Sequence, residues 1–560
     1  MAAIAGHKAI GFLPEDAQAF NNLGNTLFDL QNLEQAQAHF EQAISIEPDY
    51  ADAHNNLGNV LTESRKLESA EVCFRKAISY KYQFPLAHFN LGATLFDLGK
   101  LTEAKESFLN ALELEPNYVK AHINLASVYS NQGHIEAARD SLRRALSIDP
   151  TNAQAYNNLR QTLVILGQLK EAEKNFDQAI ACDPKTIEAH INQGHLQKQL
   201  SNFQQSQEHY EKALKLDPNS DSAHAALGFA YMAAGATGEA LDHFQSSHLL
   251  RRNRAGNGSS LTTSKAKLCH DVEQFKYLGD LGRESRRFYD LAARYQRLID
   301  QKHWPTATST VVLTNAESSL LEGTYNQTIF TGYAPRVEGQ CLSENFDAIL
   351  FAQDYLAHEF GLAYGDDFLS AGALELLRNY LLESTIWYRH YKGGYLGAFL
   401  GDGLASPLML QIASELKSKL PSIFDGHYLN EIWAFKYDSQ SSDNGSEFSG
   451  IKAHADFAAV NVNFWITPSM ANCDPSSGGL IVFNSEAPSD WTFSEYNLQT
   501  DIITRKLHSE NVNKTIIPYA GNRVVIFNSN LFHETDRFFF AGGYENRRIN
   551  ITLLFGERKT

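Results

Sequence analysis

A step of 34 residues governs the first half of the chain. Gly24, Gly58, Gly92, Ala126, Arg160, Gly194 and Gly228 stand in that step, and so do Ala36, Ala70, Ala104, Ala138, Ala172, Ser206 and Ala240. A repeat of this length encodes one pair of helices, too small to bury its apolar face alone, so successive pairs must stack on one another. The small residues fall where the two helices of a pair cross closely. Phe40, Phe74, Phe108, Leu142, Phe176, Tyr210 and Phe244 are then the core knobs, and Pro48, Pro116, Pro150, Pro184 and Pro218, which cannot continue a helix, close the second helix of each pair. Seven units are expected over residues 17–254.

This pattern resembles the tetratricopeptide repeat, which implies an all-α solenoid and a groove for a protein or peptide partner. One polar position repeats with it. Asn22, Asn56, Asn90, Asn124, Asn158 and Asn192 lie two residues before the small position in six consecutive first helices, where a side chain faces the inner groove. A ladder of carboxamides can hydrogen-bond an extended peptide backbone without reading its sequence. It is similar to the asparagine ladder of the nucleocytoplasmic GlcNAc transferase. The plainer alternative is that asparagine here only stabilises the array.

Beyond the repeats, Ala255-Gly-Asn-Gly-Ser-Ser260 breaks the pattern as a linker, and 264–302 reads as helix, giving a connector over 255–302. Residues 303–560 then change character. Glu431–Tyr437, Ala459–Ile466, Gly478–Phe483, Gly521–Phe527 and Asn550–Phe555 read as strands, rich in β-branched and aromatic residues. Gly361–Ser384 passes from a short strand into a helix, and Pro407–Leu420 gives another.

Between the first two long strands stands His454-Ala-Asp456. In a chain with 20 histidines a His-x-acid pair is weak evidence alone, and His39, His134, His209 and His508 each precede a Glu by two. Residues i and i+2 diverge on a helix but share a face on an extended segment, so His39, His134 and His209, in helical repeats, cannot chelate with their Glu. His508-Ser-Glu510 can be extended, yet no third ligand pairs with it, and it reads as solvated. His454 and Asp456 gain a third candidate in His533 and a cationic one in Arg548, which shares a strand face with Asn550 and Thr552 by period two. Two imidazoles and one carboxylate leave metal positions open for a co-substrate and O2.

The order Tyr437, His454-Ala-Asp456, Asp474-Pro-Ser-Ser-Gly-Gly479, Pro518-Tyr-Ala-Gly521, His533-Glu-Thr and Arg548-Ile-Asn-Ile-Thr resembles the 2-oxoglutarate/Fe(II)-dependent oxygenases, in particular their prolyl 4-hydroxylase-like branch. The resemblance implies a double-stranded β-helix (jelly roll) with buttressing helices, its core about 429–556. It implies Fe(II) on His454, Asp456 and His533, and 2-oxoglutarate as co-substrate with Arg548 on its distal carboxylate. Tyr437, Asn463 and Asn550 are further candidate co-substrate contacts. Asn550 stands where the family often has Ser or Thr, the adjacent Arg547 competes for the clamp, and about 79 residues between the two histidines imply an insertion near 485–514. Strand parity favours Arg548. Arg523 reads as a surface ion pair, and Trp433, Trp491 and Phe538–Phe540 as a substrate rim or as rings buried under the insertion.

The expected protein is therefore multidomain: a repeat array followed by a dioxygenase that hydroxylates a recruited protein or peptide side chain. A small or carrier-bound metabolite is the alternative substrate. The rivals are a non-enzymatic repeat scaffold with a degenerate barrel, and a cupin-type metal enzyme without 2-oxoglutarate. A formal charge of −17 argues against a nucleic-acid partner. Five cysteines without metal or disulfide spacing suit a reducing compartment, and no 18-residue apolar stretch suggests a membrane span, so a cytoplasmic location is expected.

Overall fold

A computed structural model describes residues 15–558 apart from 169, 173, 176–186, 201, 255–260, 392, 438–449, 490 and 511, and apart from the side chains of 164, 199, 253 and 254. Phe176, Cys182, Pro184 and the linker 255–260 lie outside the described residues.

Helix pairs follow the 34-residue step: Ala17–Asp29 with Leu33–Ile46, Ala51–Glu63 with Leu67–Tyr80, Pro85–Asp97 with Leu101–Leu114, and Val119–Asn131 with Ile135–Ile148. Ala153–Ile165, Ile187–Gln199, Phe203–Leu216, Asp221–Ala233 and Thr237–Arg254 continue the series. The reason for the small residues is steric. A Cβ built on Gly58 would stand 2.5 Å from the Phe74 ring, and one on Gly24, Gly92 or Gly228 would meet Phe40, Phe108 or Phe244 in the same way. Each phenylalanine is fully buried against the helix that lacks a side chain there. Helices stop at Ile46, Leu114, Ile148 and Leu216, two residues before a proline.

A second polar series is written into the repeats. The ring Nε2 of His54, His88, His122 and His224 hydrogen-bonds the carbonyl six residues earlier, at 2.9, 3.1, 3.0 and 3.2 Å, tying the inter-repeat turn to the helix that follows.

Two compact units divide the chain, Met1–Leu196 and Gln197–Thr560. The last helix pair belongs to the second. In that unit His248 bonds Thr328 at 2.7 Å, Arg252 pairs with the buried Asp402 and lies over the Tyr388 ring at 3.9 Å, and Phe203 meets Tyr428. Residues 264–302 form two helices, Lys265–Asp280 and Ser285–Gln301, where one was expected. Gly282 and Glu284 take left-handed backbone angles (φ 77° and 38°) and turn the chain between them.

The strands are β1 (Thr262–Thr263), β2 (Val311–Val312), β3 (Leu362–Gly365), β4 (Arg389–Tyr391), β5 (Tyr395–Phe399), β6 (Leu429–Tyr437), β7 (Val460–Trp465), β8 (Leu480–Glu486), β9 (Lys514–Ile517), β10 (Val524–Asn528), β11 (Leu531–Thr535) and β12 (Ile549–Phe555). They make a small β1–β2 pair, a seven-stranded antiparallel sheet ordered β3-β10-β7-β12-β6-β5-β4 and a three-stranded antiparallel sheet ordered β11-β8-β9.

Period two sorts the faces of the large sheet. Ile549, Ile551, Leu553 and Phe555 of β12 pack with Val462, Phe464 and Ile432 against Leu377 and Leu381 of helix Ala371–Glu383 and Leu408 and Ile412 of helix Pro407–Lys419. On the other face, Trp465, Val525 and Phe527 meet Leu480, Val482, Ile517 and Leu531 of the three-stranded sheet. The two sheets thus enclose a layer that also holds Arg548, immediately before β12, and Asn550 and Thr552 on the remaining face of β12.

After β10 the chain turns at Asn528–Asn530, crosses to the other sheet and presents His533 from β11. His508-Ser-Glu510 is not an extended pair, because Thr500–Ser509 is helical and ends at Glu510. Arg523 forms the expected ion pair, two-pronged to Asp366 at 2.6 and 2.9 Å.

Candidate metal centre and anion pocket

His454 has no long strand of its own. It pairs with β11 by one bridge, its N–H donating to the His533 carbonyl at 3.0 Å and the His533 N–H to the His454 carbonyl at 2.8 Å. This places the two imidazoles side by side, centroids 4.3 Å apart. Each ring is then oriented by its own backbone: Nδ1 of His454 meets the Lys452 carbonyl at 2.8 Å and Nδ1 of His533 the Leu531 carbonyl at 3.1 Å. A carbonyl only accepts, so each Nδ1 carries a proton, and the neutral tautomer it sets leaves the lone pair on Nε2.

Both lone pairs converge on Asp456. Nε2 of His533 is 3.4 Å from one carboxylate oxygen and Nε2 of His454 is 3.8 Å from the other. One donor atom from each of the three residues lies within 4.8 Å of the other two, a spacing that lets all three bind one ion. Electrostatics suit the task. Burial and the neighbouring His533 pull His454 down to about 4, which keeps its ring neutral near pH 7. Burial alone would raise Asp456, but its contacts with both imidazoles and with Asn461 outweigh it and hold the carboxyl below its ordinary range.

Behind Asp456 runs a chain of amides across the sheet. Asn461 Nδ2 donates to Asp456 at 2.5 Å, Asn463 Nδ2 donates to Asn461 Oδ1, and Asn463 Oδ1 accepts from Asn550 at 3.0 Å and from Thr552 at 2.8 Å. Asn463 and Asn550, expected beside a co-substrate, therefore stand in this relay. By period two Asn461 shares a strand face with Asn463 and Trp465, a face expected beside co-substrate or substrate with Asn463 as the preferred contact; its amide instead holds Asp456.

Arg548 is buried, 2 % exposed, and fixed from three sides. Its Nε donates to the Gly478 carbonyl at 2.8 Å and Nη2 to the Gly479 carbonyl at 3.2 Å, while the guanidinium lies 4.7 Å from the Tyr437 ring centre, 5.6 Å from that of Phe538 and 5.8 Å from that of Trp465. Its Nη1 is buried without a hydrogen-bond partner among the described residues, and so are Trp465 Nε1 and Asn550 Oδ1, on residues directly opposite each other in the β7–β12 register. Orphaned polar atoms this deep, two donors and one acceptor, cost about 1–3 kcal/mol each unless a ligand or water satisfies them. Arg547 points elsewhere and binds Glu273 of helix Lys265–Asp280 at 2.9 Å.

Of the rim candidates, Phe540 is buried, Phe538 half-buried beside Tyr437, Phe539 exposed, and Trp433 and Trp491 half-buried. In the repeats, Asn22 is exposed and Asn56, Asn90, Asn124, Asn158 and Asn192 are partly exposed. Asn56 donates to Asn21 of the preceding repeat at 3.0 Å, and Asn90 to Asn55 and Asn59 of the preceding repeat, both at 3.0 Å. These amides cross-link successive repeats while keeping an accessible edge. No helix among the described residues is long and apolar enough to cross a membrane.

Comparison with known proteins bears on the repeats. Models of the TPR repeat match residues 24–64 and 93–133, and models of the tetratricopeptide repeat match 51–84, 119–152, 153–186 and 187–220. No curated protein matches the chain. Among solved structures, YrrB, described as a TPR protein with an unusual peptide-binding site, is 27% identical over 34% of this chain and 97% of its own, with a TM-score of 0.30. PilF of Pseudomonas aeruginosa is 20% identical over 37% of this chain and 94% of its own (TM-score 0.34), and a tetratricopeptide repeat protein of Parabacteroides merdae 16% identical over 43% and 94% (TM-score 0.37). The 34-residue step, the paired helices and the family models together make the N-terminal part of this chain an array of tetratricopeptide repeats.

Proposed function

We propose that the C-terminal part is a 2-oxoglutarate- and Fe(II)-dependent dioxygenase, its two facing sheets a double-stranded β-helix, and that the repeats recruit the protein or peptide whose side chain it hydroxylates. The observation that carries this reading is the orphaned Nη1 of Arg548, a buried cation on the same enclosed face as a converging His-Asp-His set. A scaffold has no use for either, since both cost stability.

Iron and 2-oxoglutarate, when bound, would supply oxidation of a C–H bond by O2 coupled to decarboxylation. The chain's own part is preparation. His454 and His533 turn Nε2 toward the site because their Nδ1 atoms are committed to backbone carbonyls. Asn461 aims Asp456. Arg548, beside the Tyr437 ring with two of its nitrogens already bonded, keeps Nη1 for the distal carboxylate. The layer between the sheets excludes water from this pairing. The accessible amide edge of the Asn22–Asn192 series fits a peptide backbone in the groove. Cysteines 73, 269, 341 and 473 are free, which suits the cytoplasm.

The test is the metal-to-ligand absorption band of the anaerobic Fe(II) protein with 2-oxoglutarate. Arg548→Lys should weaken co-substrate binding about 10- to 100-fold, the worth of a charge-assisted fork, whereas Arg547→Lys keeps the band. His454→Ala, Asp456→Ala and His533→Ala should each lose iron with the repeats still folded. Absence of the band from wild-type protein confirmed to hold iron overturns the reading.

A further inference from the structure

The sheet face that carries Arg548 does not end there. Phe435 stands opposite Asn550, Tyr395 opposite Tyr437, Tyr391 opposite Tyr395, and Phe399 opposite Trp433. By period two, these six aromatic residues therefore share the Arg548 face, from β6 across β5 to β4, the outer strand of the sheet. Their rings form a continuous shelf: Tyr391 stacks on Tyr395 with centres 4.7 Å apart, Tyr395 meets Tyr437 at 5.2 Å, Trp433 meets Phe435 at 6.1 Å and Phe399 at 6.3 Å. Tyr391, Tyr395, Phe399 and Trp433 are only half-buried, while Phe435 and Tyr437 are buried nearer the metal side. Gly397 adds no side chain of its own, and the rings of Phe399, Phe435 and Tyr391 close over it.

At the outer edge the shelf carries one cation. Arg389, opposite Gly397, is exposed, and its guanidinium lies over the Phe399 ring 4.1 Å from its centre. No carboxylate among the described residues forms an ion pair with it. Glu431, the acid on the same face, accepts the Ile432 N–H and attracts Arg389 from a distance without forming an ion pair with it. A guanidinium held over a ring at the sheet edge presents a planar fork of donors, which suits a carboxylate.

We infer that this shelf seats the stretch of substrate chain beside the reacting residue, and that Arg389 selects substrates with an Asp or Glu there. The inference rests on the oxygenase reading. β4 is the outer strand and the fourth from β7, so the acidic residue would lie several positions along an extended chain from the one that reacts. The rings would hold the intervening segment through its apolar side chains and backbone, with little demand on sequence.

The experiment presents full-length protein with soluble pools of degenerate 12-residue peptides, each pool fixing Glu, Gln or Lys at one position, and reads the captured fraction by mass spectrometry. Wild type should enrich the Glu pools about threefold or more over the Gln pools, the scale of an exposed ion pair. Arg389→Glu should abolish that preference and shift it toward Lys, Arg389→Gln should remove it without reversal, and Trp433→Ala should lower capture of all pools together. No Glu enrichment by wild type, or the same enrichment by Arg389→Glu, overturns the inference; retention by that variant would place acid recognition in the repeats. Because capture needs no turnover, it separates from the parent reading. Loss of the Fe(II)/2-oxoglutarate band with Glu enrichment intact would remove the oxygenase, and the reverse would remove only the acidic selection.

Discussion

Asp456 is aimed by an amide whose own neighbours are amides. A carboxylate in a metal site can swing between two rotamers, and the Asn461 hydrogen bond at 2.5 Å, backed by Asn463, Asn550 and Thr552, removes that freedom. Groups that orient a ligand are worth about 10- to 100-fold in metal affinity. Asn461→Ala should therefore lower Fe(II) affinity by about that factor, measured by competition with a chelator; an unchanged affinity would return the amide to packing. The convergence of His454, Asp456 and His533 was legible because residue type and spacing carry it, and the sheet face of Arg548 was legible through parity. The relay was not. Period two put Asn461 and Asn463 on one face, but which of them reaches Asp456 depends on how residues 457–459 turn. The partner of Arg547 was hidden too, since Glu273 is 274 residues away in sequence.

Within an element, the clearest dependence is of a helix on a missing side chain. A methyl on Gly58 would need the Phe74 ring to move, its nearest atom being 2.5 Å away, and overpacking of this kind costs about 1–3 kcal/mol. Gly238, in helix Thr237–Arg254, has nothing within 4 Å of where its Cβ would be. Gly58→Ala should lower the denaturant midpoint, and Gly238→Ala should leave it unchanged or raise stability by about 0.4–1 kcal/mol. Equal losses in the two variants would mean that packing against phenylalanine is not what selects glycine. The helix pairs were readable because their period repeats often enough to outvote any one residue. A single turn, at Gly282 and Glu284, carried too little signal to divide 264–302, and helix Thr500–Ser509 went unread because its neighbourhood looked like an irregular insertion.

At the scale of the molecule, the histidines of the repeats act in concert. Burial lowers the pKa of His54, His88 and His122 below 6.5, so the folded array binds fewer protons than the unfolded chain in the window beneath that value. Their contribution to stability is present above pH 6.5 and is lost as pH falls from there toward the lowered folded values. For His54 the cause is visible: Nε2 donates to the Pro48 carbonyl, and a second proton would sit on a buried Nδ1 with no acceptor. Urea midpoints should fall between pH 7.5 and 5.5, with a shallower dependence in a His54→Gln, His88→Gln double variant; a dependence as steep in the variant would assign the effect to other groups. The unit boundary, by contrast, could not be read from composition. The polar break at 255–260 is plain in the sequence, yet the compact division falls at 196/197, because Arg252 and His248 find their partners 150 and 80 residues further along the chain. That attachment bears on how such a protein can change its length over generations. Repeats that touch only their neighbours can be duplicated or deleted one 34-residue unit at a time, the ends simply re-docking on the next copy. Helix Phe203–Leu216 and the pair Asp221–Ala233 and Thr237–Arg254 are exempt, since Phe203 meets Tyr428 and His248 and Arg252 meet Thr328, Asp402 and Tyr388. Gain and loss of repeats is thereby confined to the stretch ahead of Phe203, and lineages that vary in reach should still share these last three helices.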